Sequence, residues 1–168
     1  MGKVVPETIL SHWNTMVQGM KHSSKSFYDS VEQILGAHNL EHLKVERVNL
    51  SEGSILSAKR EYLQIRREAL VFHICAAPFG NGFFVSWWLG EREKGFSALL
   101  ARIPVIGFFL RSVLKPLTYY KFDTTGMFQS VTHAAVLETL DAVVNAQGIR
   151  ALSDLDRKPI MRDFFGRT

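Results

Sequence analysis

The chain carries one cysteine, Cys75, among 168 residues. That excludes an intrachain disulfide and a cysteine-rich zinc site, and it fits a reducing compartment. Long apolar runs are missing as well. The longest, Ile103 to Leu110, is eight residues and contains Pro104 and Gly107, whereas a membrane-spanning helix needs about 20 apolar residues. The opening stretch MGKVVPETILSHWN lacks the unbroken apolar core of a signal peptide. Pro6 stands where a myristoylation signal has Ser or Thr. These absences lead to an expectation of a cytoplasmic protein without a simple transmembrane helix. The phosphate-binding patterns GxxxxGK[ST] and GxGxxG are absent too, and so are internal repeats and low-complexity linkers.

The remaining scarcity is local. Residues 94–121 contain five basic side chains and no acidic one, although the whole chain carries a net charge of only +4. The excess is therefore concentrated in one segment, KGFSALLARIPVIGFFLRSVLKPLTYYK. After the break at Pro104 and Gly107, Ile106, Phe109, Leu110, Val113, Leu114 and Leu117 share a helical face. Arg111, Ser112 and Lys115 share the other, with Phe108 among them. A basic amphipathic helix of this kind can lie in an anionic membrane surface. The plainer reading makes it a cover for a sheet face.

What the chain does have is enough apolar sequence for one domain over 1–168. The pattern predicts an α+β fold: a four- to five-stranded antiparallel sheet (meander) flanked by a long N-terminal helix and a long C-terminal helix. Ile9, Trp13, Met16, Val17 and Met20 recur at three- and four-residue steps, and Phe27, Val31 and Ile34 continue them. The spacing predicts helix over 7–36, with the polar KHSSKS stretch as an alternative break. A helix seam with a seven-residue repeat would also permit an oligomer.

Residues 43–89 read as antiparallel strands, with Pro78-Phe79-Gly80-Asn81-Gly82 as turn chemistry. In this hairpin Leu70, Phe72, Ile74 and Ala76 share one face, and Val71, His73 and Cys75 the other. Phe83, Val85, Trp87 and Leu89 alternate with Phe84, Ser86 and Trp88. Both faces are apolar enough to be covered. Residues 94–121 form a basic apolar connection, with YYKF a candidate fifth strand. A helix follows over 122–147, capped by Asp123-Thr124-Thr125 and closed at Gly148. In the tail, 148–168, a short helix is expected from Ser153, stopped before Pro159.

Few chemical constellations emerge. His73 and Cys75 are the candidates for catalysis, but residues two apart on a strand are about 7 Å apart, long for a nucleophile and its base. His38 and His42 have i,i+4 spacing without a visible third ligand, and His133 and Glu138, five apart, do not face each other well. Lys59, Arg60, Arg66 and Arg67 with Tyr62 resemble a nucleic-acid strand face, but Glu61 and Glu68 interrupt it, so nucleic acid is disfavoured. No metal site and no cofactor is expected, and the oligomeric state is open.

The expected function is a non-catalytic binding or adaptor module. It would contact an anionic membrane surface or a protein partner through the basic amphipathic segment 96–117, using Lys94, Phe96, Arg102, Phe108, Phe109, Arg111 and Lys115. The alternative is a small-ligand-binding protein or enzyme, with a pocket beside the 70–89 hairpin lined by His73, Cys75 and Trp88.

Overall fold

The computed structural model describes residues 8–51, 59–92 and 118–161. Strand β1 (Thr8–Gln18) is followed by helix α1 (Ser24–Ala37) and the strands β2 (Leu43–Ser51), β3 (Lys59–Arg67), β4 (Leu70–Phe79) and β5 (Gly82–Glu91). Helix α2 (Tyr119–Ala146) and the two-residue strand β6 (Ile160–Met161) complete the described elements. The fold is α+β. The strands run in the order β2-β3-β4-β5-β1-β6, so the meander of β2 to β5 is extended by β1 on the far side of β5. All pairings are antiparallel.

The long N-terminal helix expected over 7–36 is not formed. Its first half is β1, and only Ser24–Ala37 is helical. The physical reason is the partner: Ser11, Trp13, Thr15 and Val17 alternate toward the core side while β5 satisfies the strand's backbone. A bulge between Ile9 and Ser11 shifts the phase, so Leu10 and Ser11 are both buried. That irregularity mimics helical spacing. The helix starts after the polar break, where the Ser23 hydroxyl accepts from the Ser26 N–H at 3.1 Å. Phe27, Tyr28, Val31 and Leu35 form its buried stripe.

The two described helices lie on one face of the sheet. Leu63, Ile65, Phe72, Ile74, Phe83, Val85, Trp87 and Leu89 meet α1 and α2 there in one continuous core. Phe72 packs edge-on to Trp87 and to Phe128 of α2, with ring centroids 5.1 and 5.2 Å apart. The Tyr28 hydroxyl reaches across from α1 and accepts from the Ala76 N–H at 2.9 Å.

Helix α2 begins earlier than its sequence suggests. Tyr119–Phe122, a candidate fifth strand, form its first turn, and Thr118 rather than Asp123 caps it, accepting from the Lys121 N–H at 3.3 Å. The fifth long strand is β1. At the other end Gly148 adopts φ +64°; its N–H bonds Asn145 O and that of Ile149 bonds Val144 O, the paired closure that a left-handed glycine permits.

Lys121 Nζ donates to Glu91 at 2.8 Å and ties the first turn of α2 to the end of β5. In the tail, Asp154–Arg157 form a turn, not the expected short helix. Asp156 accepts from the Ser153 hydroxyl at 2.6 Å, and that local bond supplies the alternative to helical pairing.

Candidate functional site

The two faces of the sheet differ in chemistry. On the side away from the helices, antiparallel register aligns side chains in rows. Gln64 faces His73, His73 faces Trp88, and Trp88 faces His12, one row across β3, β4, β5 and β1. The sequence candidates His73 and Trp88 are thus direct cross-strand neighbours. Cys75 lies one row away, opposite Ser86. His73, Cys75, Gln64 and Ser86 are buried, whereas Trp88 is 39% exposed.

Each member of the row has a definite partner. Gln64 Nε2 lies 2.7 Å from His73 Nε2. An amide nitrogen only donates, so His73 Nε2 accepts and the ring proton sits on Nδ1. Burial, helped by the Arg92 and Arg66 charges, lowers the His73 pKa to about 4. Trp88 and His12 stack with centroids 4.6 Å apart and planes 13° from parallel.

The thiol of Cys75 is held up by burial, against the opposing pull of Arg60 and of hydrogen bonds from Arg60 and Tyr62. Tyr62 is pushed up in turn, first by burial and then by Cys75. The groups acting on the thiol are therefore Arg60 and Tyr62, while His73 is engaged by Gln64. At neutral pH this face holds a neutral imidazole and a protonated thiol, neither of which is an activated nucleophile. A cavity of about 310 Å³ opens near the hairpin tip, lined by Met16, Arg60, Ala77, Pro78, Phe79 and Phe84.

The other candidates are dispersed. His38 caps α1 and His42 has positive φ in the following turn. Among the described residues no group of three or more His, Cys, Asp or Glu side chains is placed to share a metal ion. His133 is buried on the core side between Trp87 and the Arg157 carbonyl, and Asp141 holds the Arg157 guanidinium with both oxygens, at 2.7 and 3.0 Å. In the strand once weighed for nucleic acid, Arg66 pairs with Glu46 and Tyr62 acts on Cys75.

Lys94, Phe96, Arg102, Phe108, Phe109, Arg111 and Lys115 lie outside the described residues. The chain is described again from Thr118, where Tyr119 and Tyr120 stand 91% and 81% exposed. No described helix is long and apolar enough to cross a membrane.

Sequence reasoning missed Gln64 and His12 as members of the polar row. Gln64 sat in the charge-rich strand weighed as a nucleic-acid face, and His12 in a segment read as helix. It also missed a larger groove of about 860 Å³ along the first turns of α2. No protein-family model, curated protein or solved structure matches this chain.

Proposed function

We propose that this protein is a non-catalytic binding module that docks on an anionic membrane surface through the basic amphipathic segment 96–117, as a peripheral cytoplasmic protein. The observation that carries this reading is the near-complete exposure of Tyr119 and Tyr120, at the point where the acid-free segment joins α2. Two adjacent aromatic rings left in water suit an interface with an apolar side and a wet side. Lys121 is neutralised by Glu91, so the cations offered to lipid are Lys94, Arg102, Arg111 and Lys115. Each basic residue near an anionic surface contributes about 1 kcal/mol.

The test is flotation of the purified protein with anionic and with neutral vesicles at low and high salt. The reading expects recovery with anionic vesicles only, lost as salt rises, and lost when those four residues are reversed to Glu in a protein with unchanged circular dichroism. Equal behaviour of wild type and the reversed variant would reject it. Absence of flotation at every salt concentration would shift the search to a protein partner.

A second reading, a small-ligand pocket beside the β4–β5 hairpin, has one observation in its favour. The 310 Å³ cavity brings Arg60 to the same end of the sheet face as Cys75. Ligand-dependent protection of Cys75 from a thiol reagent would support it.

A further inference from the structure

Among the described residues two arginines occupy the helix-facing side of the sheet, and their surroundings differ. Arg47 of β2 lies opposite the core residue Leu63. It bonds Asp29 at 2.5 Å and Glu32 at 3.4 Å, both on α1, and its guanidinium lies 5.5 Å from the centre of the Tyr28 ring. Arg67 ends β3 two steps beyond Ile65, on the side where Leu63 and Ile65 are fully buried. Its cross-strand neighbours Leu43 and Leu70 still pack on the core, and beside it opens a groove of about 860 Å³, with Leu40, Phe122, Met127, Phe128 and Val131 among its walls. Among the described residues Arg67 makes no ion pair, whereas Arg47, Arg66 and Arg157 each have a carboxylate within reach.

We infer that this groove binds a small amphipathic monocarboxylate, its alkyl chain against Leu40, Phe128 and Val131 and its carboxylate on Arg67. The volume is that of an ordinary small-molecule site. A planar guanidinium takes a carboxylate through two parallel hydrogen bonds, and Arg67, the one cation among the described residues of a mostly apolar lining, suits a ligand with one charged end. Asp123 lines the same groove. Its negative charge disfavours a dianionic phosphate head and leaves a monoanion as the better match. None of these residues belongs to 96–117, so the site stands or falls independently of the membrane reading.

The experiment is calorimetric titration of the whole chain with decanoate and, separately, with decanol, its uncharged counterpart. Decanoate should bind at one site per chain and more tightly than decanol. Arg67→Gln should weaken decanoate by about tenfold or more, the scale of a lost charged hydrogen bond, while decanol binding stays unchanged. Val131→Trp, which fills the groove, should weaken both. Circular dichroism of each variant separates loss of binding from loss of fold, and Arg67→Lys, which keeps charge without the planar fork, should fall between wild type and Arg67→Gln. Absence of decanoate binding, or equal loss of both ligands in Arg67→Gln, would overturn the inference.

Discussion

The indole Nε1–H of Trp87 donates to Nδ1 of His133 at 3.0 Å. On the far side of the same ring, Nε2 lies 2.7 Å from the Arg157 carbonyl. A carbonyl only accepts and an indole N–H only donates, so the two partners fix His133 as the Nε2–H tautomer. One buried imidazole thereby joins β5 to the turn before β6. Trp13 adds a second link, donating to the Asp156 carbonyl at 2.6 Å.

Replacing His133 by Ala would strand the Trp87 N–H inside the core and remove the partner of the Arg157 carbonyl. The expected cost is about 2–4 kcal/mol, from a buried donor left unmade together with a cavity. Urea denaturation would measure it. Proteolysis within 149–161 should also rise relative to cleavage elsewhere, because the ring anchors that turn. A loss below 0.5 kcal/mol, on the scale of a surface substitution, would show that the bridge adds little.

Acid should destabilise the fold through its buried histidines. His73 titrates near 4 when folded, against 6.5 for the unperturbed group, and burial lowers His133 and His22 as well. Below pH 6.5 the unfolded chain binds protons that the folded one refuses, so stability is complete above that pH and falls as pH drops toward the folded values. The His73 contribution amounts to about 3 kcal/mol at most between pH 6.5 and 4. In a Gln64→Leu/His73→Leu double variant, which leaves neither partner unpaired, the slope of stability against pH should be shallower. An unchanged slope would remove His73 from the account.

The thiol of Cys75 should resist labelling. It is buried, and burial raises its pKa despite Arg60. Reaction with a disulfide reagent at neutral pH should be at least about a hundredfold slower in the folded protein than in denaturant, as expected when access requires opening of the sheet. Fast labelling of the folded protein would reveal an accessible, activated thiolate.

Gly82 has no room for a side chain. A Cβ there would meet the Val17 carbonyl oxygen at 2.7 Å and Met16 Sδ at 3.2 Å. Backbone in the central β1–β5 pair has to move, so Gly82→Ala should cost about 1–3 kcal/mol. Gly36→Ala, at a helical position with open space around the added methyl, is the control and should be neutral or stabilising. Thermal denaturation of both variants checks the pair.

The hairpin of β4 and β5 was legible because its alternation is uninterrupted. Ile74 and Trp87 turn to the helices, His73 and Trp88 away, as their spacing requires. The body of α2 was legible for the same reason, through Val136, Leu140 and Val144. Strand β1 was not, because polar Ser11 and Thr15 occupy core-side positions and the bulge brings Leu10 into phase with helical spacing. Arg67 was hidden by its neighbours: a cation in KREYLQIRRE reads as solvent-facing, and only the position of Leu63 and Ile65 on the same side reveals that it points under the helices. The row from Gln64 to His12 depends on register across four strands, which local sequence does not encode.

The placement of β1 has a consequence for how the chain reaches this fold. Strand β1, made before the meander, hydrogen-bonds β5, which arrives only after β2, β3 and β4, and then β6 on its other edge. Until β5 emerges, its backbone N–H and C=O groups have no sheet to join, and Trp13 and Val17 have no core to enter. The three hairpins of the meander close short loops and can form first, whereas docking β1 closes a loop that contains all of them. Folding should therefore end with that docking. Until then β5 presents an open edge rich in Phe, Val and Trp, on which the corresponding strand of another molecule could pair.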